Sequence, residues 1–165
     1  MNLPQSLWAV KSKELPEKYR EAFTRWLDGW EAGNRQKGIY LFGPPEKTEP
    51  AFAVLMKAVR RRCTPAYCIL ASKVPDFLLR NPDMEDWEAT RHLTDISMLG
   101  ILGLGREHRD RDGFITSLFS KVLEDRFYFK RPIIVSSTID PSDLAKVYSI
   151  AVSDFIKGST ATVRF

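Results

Sequence analysis

The chain has 165 residues, a net charge of +4 and an isoelectric point near 9.1, enough length for one domain with a core of its own. A hydrophobic fraction of 44% with 12% aromatic residues is globular and excludes extended disorder. No apolar run nears the ~18 residues of a membrane span, and Met1-Asn2-Leu3-Pro4-Gln5 lacks the basic segment and apolar stretch of a signal peptide. Two cysteines, Cys63 and Cys68, are too few for a disulfide scaffold and are not spaced as a zinc knuckle. No metal site and a cytoplasmic location are therefore expected. The basic balance permits an acidic partner such as nucleic acid without requiring one.

From Leu15 to Trp30, the residues Tyr19, Phe23, Trp26, Leu27 and Trp30 recur at three- and four-residue spacing, which predicts an amphipathic helix with an inward aromatic stripe. Gly29, Gly33 and Asn34 break it. Gly38–Phe42 is a strand apolar on both faces, suited to a parallel sheet covered by helices. Pro50 suits the first turn of the next helix, which runs to about Arg62 with Phe52, Leu55 and Val59 on one face. Ala66–Leu70 is a second strand with Cys68 in the core, and Val74–Arg80 a short helix ended by Asn81-Pro82-Asp83. The acids Asp83, Glu85, Asp86 and Glu88 around Trp87 read as a solvated loop or helix end.

Ile96–Leu102 is a third strand, followed by Gly103-Leu104-Gly105 and a charged loop from Arg106 to Asp112. Gly113 to about Phe129 is helical, with Ile115, Leu118, Phe119, Val122 and Leu123 on one side. Pro132–Ser137 is a fourth strand. Pro141 begins a helical stretch to about Lys157, capped by Gly158, and Thr160–Phe165 is a last strand. Strands alternating with helices predict a three-layer α/β fold. His92 and His108 flank the third strand with no nucleophile motif nearby, and read as surface or structural residues.

The first strand runs into Gly43-Pro44-Pro45, as a phosphate-binding loop begins. Such a loop continues as G-x-x-x-x-G-K-[ST]. Counted from Gly43, those last three positions hold Thr48, Glu49 and Pro50. A two-residue deletion would instead align Lys47-Thr48 with the Lys-Ser/Thr pair and set Glu46 at the glycine. That loop would be too short to wrap a phosphate, and Glu46 would bring negative charge to it.

The order of these landmarks from about Trp26 to Phe165 resembles the AAA+ domain of bacterial and phage helicase loaders of the DnaC type and their IstB-type transposition relatives. The landmarks are the aromatic helix, Gly38-Ile39-Tyr40-Leu41-Phe42-Gly43-Pro44-Pro45, Leu102-Gly103-Leu104-Gly105-Arg106-Glu107, and Ile133–Thr138 followed by Asp140-Pro141-Ser142-Asp143-Leu144. The resemblance implies a P-loop NTPase (AAA+-like) fold. Residues 1–37 are expected to form a segment whose helix packs on the core, and residues 38–165 a degenerate AAA+-like domain without a large lid. That leading segment is too short for a separate helicase-binding domain.

The resemblance also sets the family's Walker B acids on Leu102 and Gly103, with Glu107 on its loop acid. It sets the sensor asparagine on Thr138, and the arginine finger and second sensor arginine near Ala151 and Phe155. Neither Leu102 nor Gly103 binds a cation, and no arginine lies between Arg131 and Arg164, so the charges that turn over ATP are missing. The expectation is a vestigial nucleotide pocket at Gly43, Pro44, Pro45, Lys47, Thr48 and Thr138, without catalysis, ATP or Mg²⁺. Loops on this side of the sheet can face single-stranded DNA in the resembling loaders, so Arg106, Arg109 and Arg111, helped by Lys130 and Arg131, are candidate phosphate contacts. Glu107, Asp110 and Asp112 nearly cancel that charge. Arg60-Arg61-Arg62 is explained by the end of its helix.

The function implied is a non-catalytic, loader-like protein that acts by binding in DNA replication or mobile-element maintenance. Its partners would be a replication helicase, another AAA+ protein or single-stranded DNA, in an oligomer or alone. Two alternatives stand beside it: a weak ATPase or loader using Lys47-Thr48, and a decoy subunit that inhibits a homologous AAA+ assembly.

Overall fold

Strands that are apolar on both sides cannot leave a face in water, so each face of the sheet must be covered. The computed structural model describes residues 2–31, 37–62, 65–79, 86–106 and 114–165. Its elements run α1 (Glu17–Glu31), β1 (Gly38–Phe42), α2 (Pro45–Arg61), β2 (Ala66–Leu70), α3 (Val74–Leu79), α4 (Asp86–Asp95), β3 (Met98–Leu104), α5 (Phe114–Tyr128), β4 (Ile133–Ser137), α6 (Leu144–Val147), α7 (Ile150–Ser159) and β5 (Thr160–Arg164). The five strands form one sheet of order β2-β3-β4-β1-β5, with every pairing parallel.

Alternate residues of each strand feed two cores. Ile39, Leu41, Cys68, Met98, Leu102 and Ile134 face α1 and α2. Tyr40, Ile69, Leu99, Ile101, Ile133 and Val135 face α3 to α7 on the other side. This is the expected three-layer α/β arrangement. Fully burying a large apolar side chain such as Phe52, Leu55 or Met56 stabilises by about 1.5–3 kcal/mol each. Cys68 sits in the first core, where burial pushes its thiol up to about 12; it is a packing residue. Cys63 lies outside the described residues.

The aromatic stripe of α1 turns inward. Phe23, Leu27 and Trp30 are buried in the core shared with β1 and α2, and Trp26 stacks on Trp30 with ring centroids 6.3 Å apart. Lys57 of α2 fastens the segment before α1 by donating to Leu7 O, Trp8 O and Val10 O at 3.0, 2.7 and 2.9 Å. Desolvation there lowers its pKa. No helix among the described residues is long and apolar enough to cross a membrane.

Several boundaries differ from the sequence reading. Helix α2 starts at Pro45, not Pro50. Pro45 takes the first helical position, where its missing N–H costs nothing, and Pro50 is carried inside the helix. The acidic run around Trp87 extends into α4, which the sequence reading missed because its buried stripe is only Ala89 and Leu93. His92 on that helix packs edge-on against Tyr67, with centroids 4.8 Å apart, a structural role. Strand β3 begins at Met98 and continues through Gly103 to Leu104.

The stretch from Pro141 breaks into a 3₁₀ turn, α6 and α7. Ser149 starts α7 by accepting from Val152 N–H at 3.1 Å, a side-chain cap that begins a new helix. Gly158 lies within α7, and β5 follows at once. Of the stripe expected on α5, Phe119, Val122 and Leu123 are buried; the side chains of Ile115 and Leu118 lie outside those described. Asn81, Pro82 and Asp83 also lie outside the described residues.

Candidate functional site

In open parallel sheets, ligand sites form beyond the carboxyl ends of the strands. Here β1, β3 and β4 end at Phe42, Leu104 and Ser137. Only Gly43 and Pro44 separate β1 from α2. The connection therefore matches the shorter of the two alignments, with Lys47 and Thr48 in the first turn of the helix.

A phosphate cradle needs free backbone N–H groups at such a turn. Gly43 N–H donates to Ser137 O at 3.1 Å, and Lys47 and Thr48 N–H both donate to Pro44 O at 3.0 Å. Pro44 and Pro45 have no N–H. Glu46 supplies the remaining donor of the turn, and it brings a carboxylate. The Thr48 hydroxyl is buried and donates to Pro44 O at 3.2 Å, so it is spent within its own helix. Lys47 is exposed.

The space over Gly43 is also occupied. Phe165 N–H donates to Phe42 O at 2.9 Å, and its ring stacks on Tyr19 at 4.0 Å. A Cβ at Gly43 would lie 3.0 Å from that of Phe165, and the residue has φ +148°, so only glycine suits this position.

On β3, Leu102 is buried. Gly103 sits at a register irregularity between Leu102 and Leu104. Its N–H donates to Ser136 Oγ at 3.0 Å, while Ser137 Oγ donates to Leu104 O at 2.8 Å. Gly103 has φ +76°, and a Cβ there would stand 3.2 Å from Arg106 Cδ. An acidic residue at this position would be strained and would press on the Arg106 side chain.

That side chain folds back over Gly103 and meets Glu49 of α2, with Nη1 2.8 Å from Oε1. A cation from the loop after β3 thus faces an acid on the helix after β1. Relative to a working P-loop site, which sets a lysine on the helix and acids on the strand, the two charges are exchanged.

Thr138 is exposed at the tip of β4. Two residues on, Asp140 takes the Arg164 guanidinium, with Nη1 2.6 Å from Oδ2, and accepts from Ser142 N–H and Oγ at 2.9 and 2.7 Å. The Arg164 contact, and then those from Ser142, hold the Asp140 carboxyl well below the usual carboxylate range. The Arg164 guanidinium lies 5.0 Å from the Phe42 ring centroid. Glu49, Ser136, Ser137 and the Asp140–Arg164 pair were not singled out from sequence. Glu49 had a readable signal: an acid at the lysine position of the straight count calls for a nearby cation.

The candidate nucleic-acid residues are not gathered together. Arg106 lies at the carboxyl end of the sheet, while Lys130 and Arg131 precede β4 at the opposite end. Arg131 is already engaged, donating to Thr94 O at 2.7 Å and pairing with Asp95. Arg109 and Arg111 lie outside the described residues, as do Glu107, His108, Asp110 and Asp112. Ala151 and Phe155 both lie on α7, where Phe155 packs against Phe127 at 4.8 Å.

Comparison with solved structures finds the same fold. A DnaI crystal structure matches with a TM-score of 0.75 at 16% identity, covering 99% of this chain and 95% of that one. A DnaC helicase loader matches with a TM-score of 0.77 at 14% identity, covering 98% and 99%. AMPPCP-bound DnaA from Aquifex aeolicus matches with a TM-score of 0.73 at 12% identity, covering 95% of this chain and 51% of that one. No family model matches the sequence, and no curated protein matches it. The sheet order and these matches make the fold an AAA+ P-loop NTPase core.

Proposed function

We propose that this chain is a nucleotide-independent, helicase-loader-like protein that serves DNA replication or mobile-element maintenance by binding. Its partner would be a replication helicase, another AAA+ subunit or single-stranded DNA. The observation that carries the reading is the Glu49–Arg106 pair, an internal ion pair across the gap where a Mg²⁺-nucleotide would need the opposite arrangement of charge. The committed N–H groups of the turn and the inward Thr48 hydroxyl support it. The residues present do not fit Mg²⁺-ATP: Leu102 and Gly103 offer no oxygen ligand, and Glu46 and Glu49 oppose a polyphosphate. The likeness in fold to helicase loaders supports the replication setting.

Calorimetry with Mg²⁺-ATP and Mg²⁺-ADP is expected to give no heat and no rise in melting temperature. Ligand at a hundred times its Kd would stabilise by about 2.7 kcal/mol, a shift easily read by thermal melting. Micromolar binding would overturn the reading in favour of the weak ATPase, which has one observation behind it: Lys47 is exposed in the first turn of α2. In that case Lys47→Ala should abolish turnover.

If single-stranded DNA binds at the carboxyl end of the sheet, reversing Arg106, Arg109 and Arg111 to Glu should weaken binding and flatten its salt dependence. Reversing Arg106 alone would set two carboxylates face to face. Combining Arg106→Glu with Glu49→Arg keeps an ion pair there and separates lost DNA contact from lost structure. Unchanged binding in the triple variant removes this loop from the account.

A further inference from the structure

At the amino end of the sheet, far from the pocket above, three aromatic residues follow one another where α5 ends. Phe127, Tyr128 and Phe129 are 38%, 71% and 64% exposed. Exposed aromatic surface of this kind marks a contact site more often than a solvated one. The rings are backed rather than loose: Phe155 packs on Phe127 at 4.8 Å and on Tyr128 at 6.0 Å.

The turn that presents them is held firmly. Lys130 N–H donates to Phe127 O at 3.0 Å, and Arg131 N–H donates to Arg126 O at 2.7 Å. This pairing ends a helix by sending one residue into the left-handed region, a place glycine usually takes. Lys130 occupies it with φ +53°, at a cost of about 1–2 kcal/mol that a glycine would avoid. A lysine kept at a strained position points to a use for its side chain.

Beside the rings is a hollow of about 400 Å³ lined by Lys37, Arg126, Lys130 and Arg131, with Phe127, Tyr128 and the end of α7. No carboxylate lines it among the described residues. Arg126 and Arg131 are engaged by carbonyl oxygens and Asp95, whereas Lys37 and Lys130 form no ion pair among the described residues. A cationic hollow next to open aromatic faces is the arrangement that takes a phosphate and stacks its base.

We infer that this patch binds single-stranded nucleic acid, with a phosphate held by Lys37 and Lys130 and a base stacked on Tyr128. Acidic partners without rings would use the hollow but not the exposed faces of Tyr128 and Phe129. The site stands apart from the nucleotide pocket and from the loop after β3, and it regroups Lys130 and Arg131 away from Arg106.

The test is fluorescence anisotropy of a labelled oligothymidylate with the full chain at several salt concentrations. Tyr128→Ala should lower affinity roughly 5- to 150-fold, the range for loss of one stacked base, while Tyr128→Phe should retain it. Joint replacement of Lys37 and Lys130 by alanine should lower the slope of log K against log salt by about 1.4, at about 0.7 per phosphate contact. Tyr128 is exposed, so neither change at that residue threatens folding. Three results would overturn the inference: no oligonucleotide binding by the parent at low salt, unchanged affinity in Tyr128→Ala, or a loss confined to the triple reversal at Arg106, Arg109 and Arg111. If Tyr128→Ala dissolves self-association in sedimentation while oligonucleotide affinity holds, the patch belongs to a second copy instead. The nucleotide calorimetry is independent of every one of these results.

Discussion

Arg126→Met is expected to remove about 3–5 kcal/mol of stability, the range for stripping the partner from a buried polar group. Arg126 is 1% exposed and touches no carboxylate. Its Nη1 donates to Leu93 O, Thr94 O and Ile96 O at 2.9, 3.0 and 2.8 Å, and its Nη2 to Pro132 O at 2.6 Å. One guanidinium therefore satisfies the last carbonyls of α4 and the residue that leads into β4, groups a helix end leaves without partners. Methionine has a similar length and no donor, so these oxygens would stay buried and unpaired. At about 2–4 °C per kcal/mol for a chain of this size, the melting temperature should fall by roughly 6–20 °C. A fall of less than about 1 kcal/mol in urea unfolding would mean that water replaces the guanidinium, and that the cage is not the lock it looks like.

The pH dependence of that loss follows from the same burial. Desolvation, then repulsion from Arg131, pushes Arg126 down to about 9 from 12.5. Near neutrality the group is protonated in both folded and unfolded chains, so the gap between parent and variant should be flat from about pH 6 to pH 8. Above about 9 the folded chain holds fewer protons at this group than the unfolded one. Stability from Arg126 then rises with pH, and the gap widens.

The second large effect is expected at Gly38. A Cβ there would meet Ile133 O at 2.1 Å, Ile133 N at 2.8 Å and Ile133 C at 3.0 Å. All three are backbone atoms of the neighbouring strand, and β1 lies between β4 and β5, so no rotamer change relieves the overlap. Gly38→Ala should cost at or above the top of the roughly 1–3 kcal/mol typical of overpacking, read as a lower urea midpoint or failure to fold. Gly29 is the internal comparison. It lies in α1 with nothing within 4 Å of an added Cβ, so Gly29→Ala should stabilise by about 0.5–1 kcal/mol. Equal stability for parent and Gly38→Ala would contradict the register Ile39↔Ile134.

The patterned elements were legible because their signals are local. Gly38–Phe42 and Ala66–Leu70 are continuous apolar runs, and both are strands with those bounds. The stripe from Tyr19 to Trp30 buries the face its spacing predicts. Helix α4 was not legible, because two buried residues do not make a periodic signal and its end is secured by Arg126, more than thirty residues away. The start of α2 was misread because two prolines competed for the first helical turn, and Pro45 took it.

Sequence by itself determined the layered α/β class, the order of strands and helices, and the residue types at the end of each strand. The absence of acids at Leu102 and Gly103 is a property of the chain whatever its fold. Only the tertiary structure decided where the remaining charges go. It brought Arg106 onto Glu49 across 57 positions of chain, tied Arg164 to Asp140, and sent Lys130 and Arg131 to the opposite end of the sheet from Arg106. The physical reason is range. Periodicity and turn chemistry act over a few residues, whereas an ion pair or a carbonyl cage depends on which strands lie side by side, and that is fixed only when the sheet is assembled.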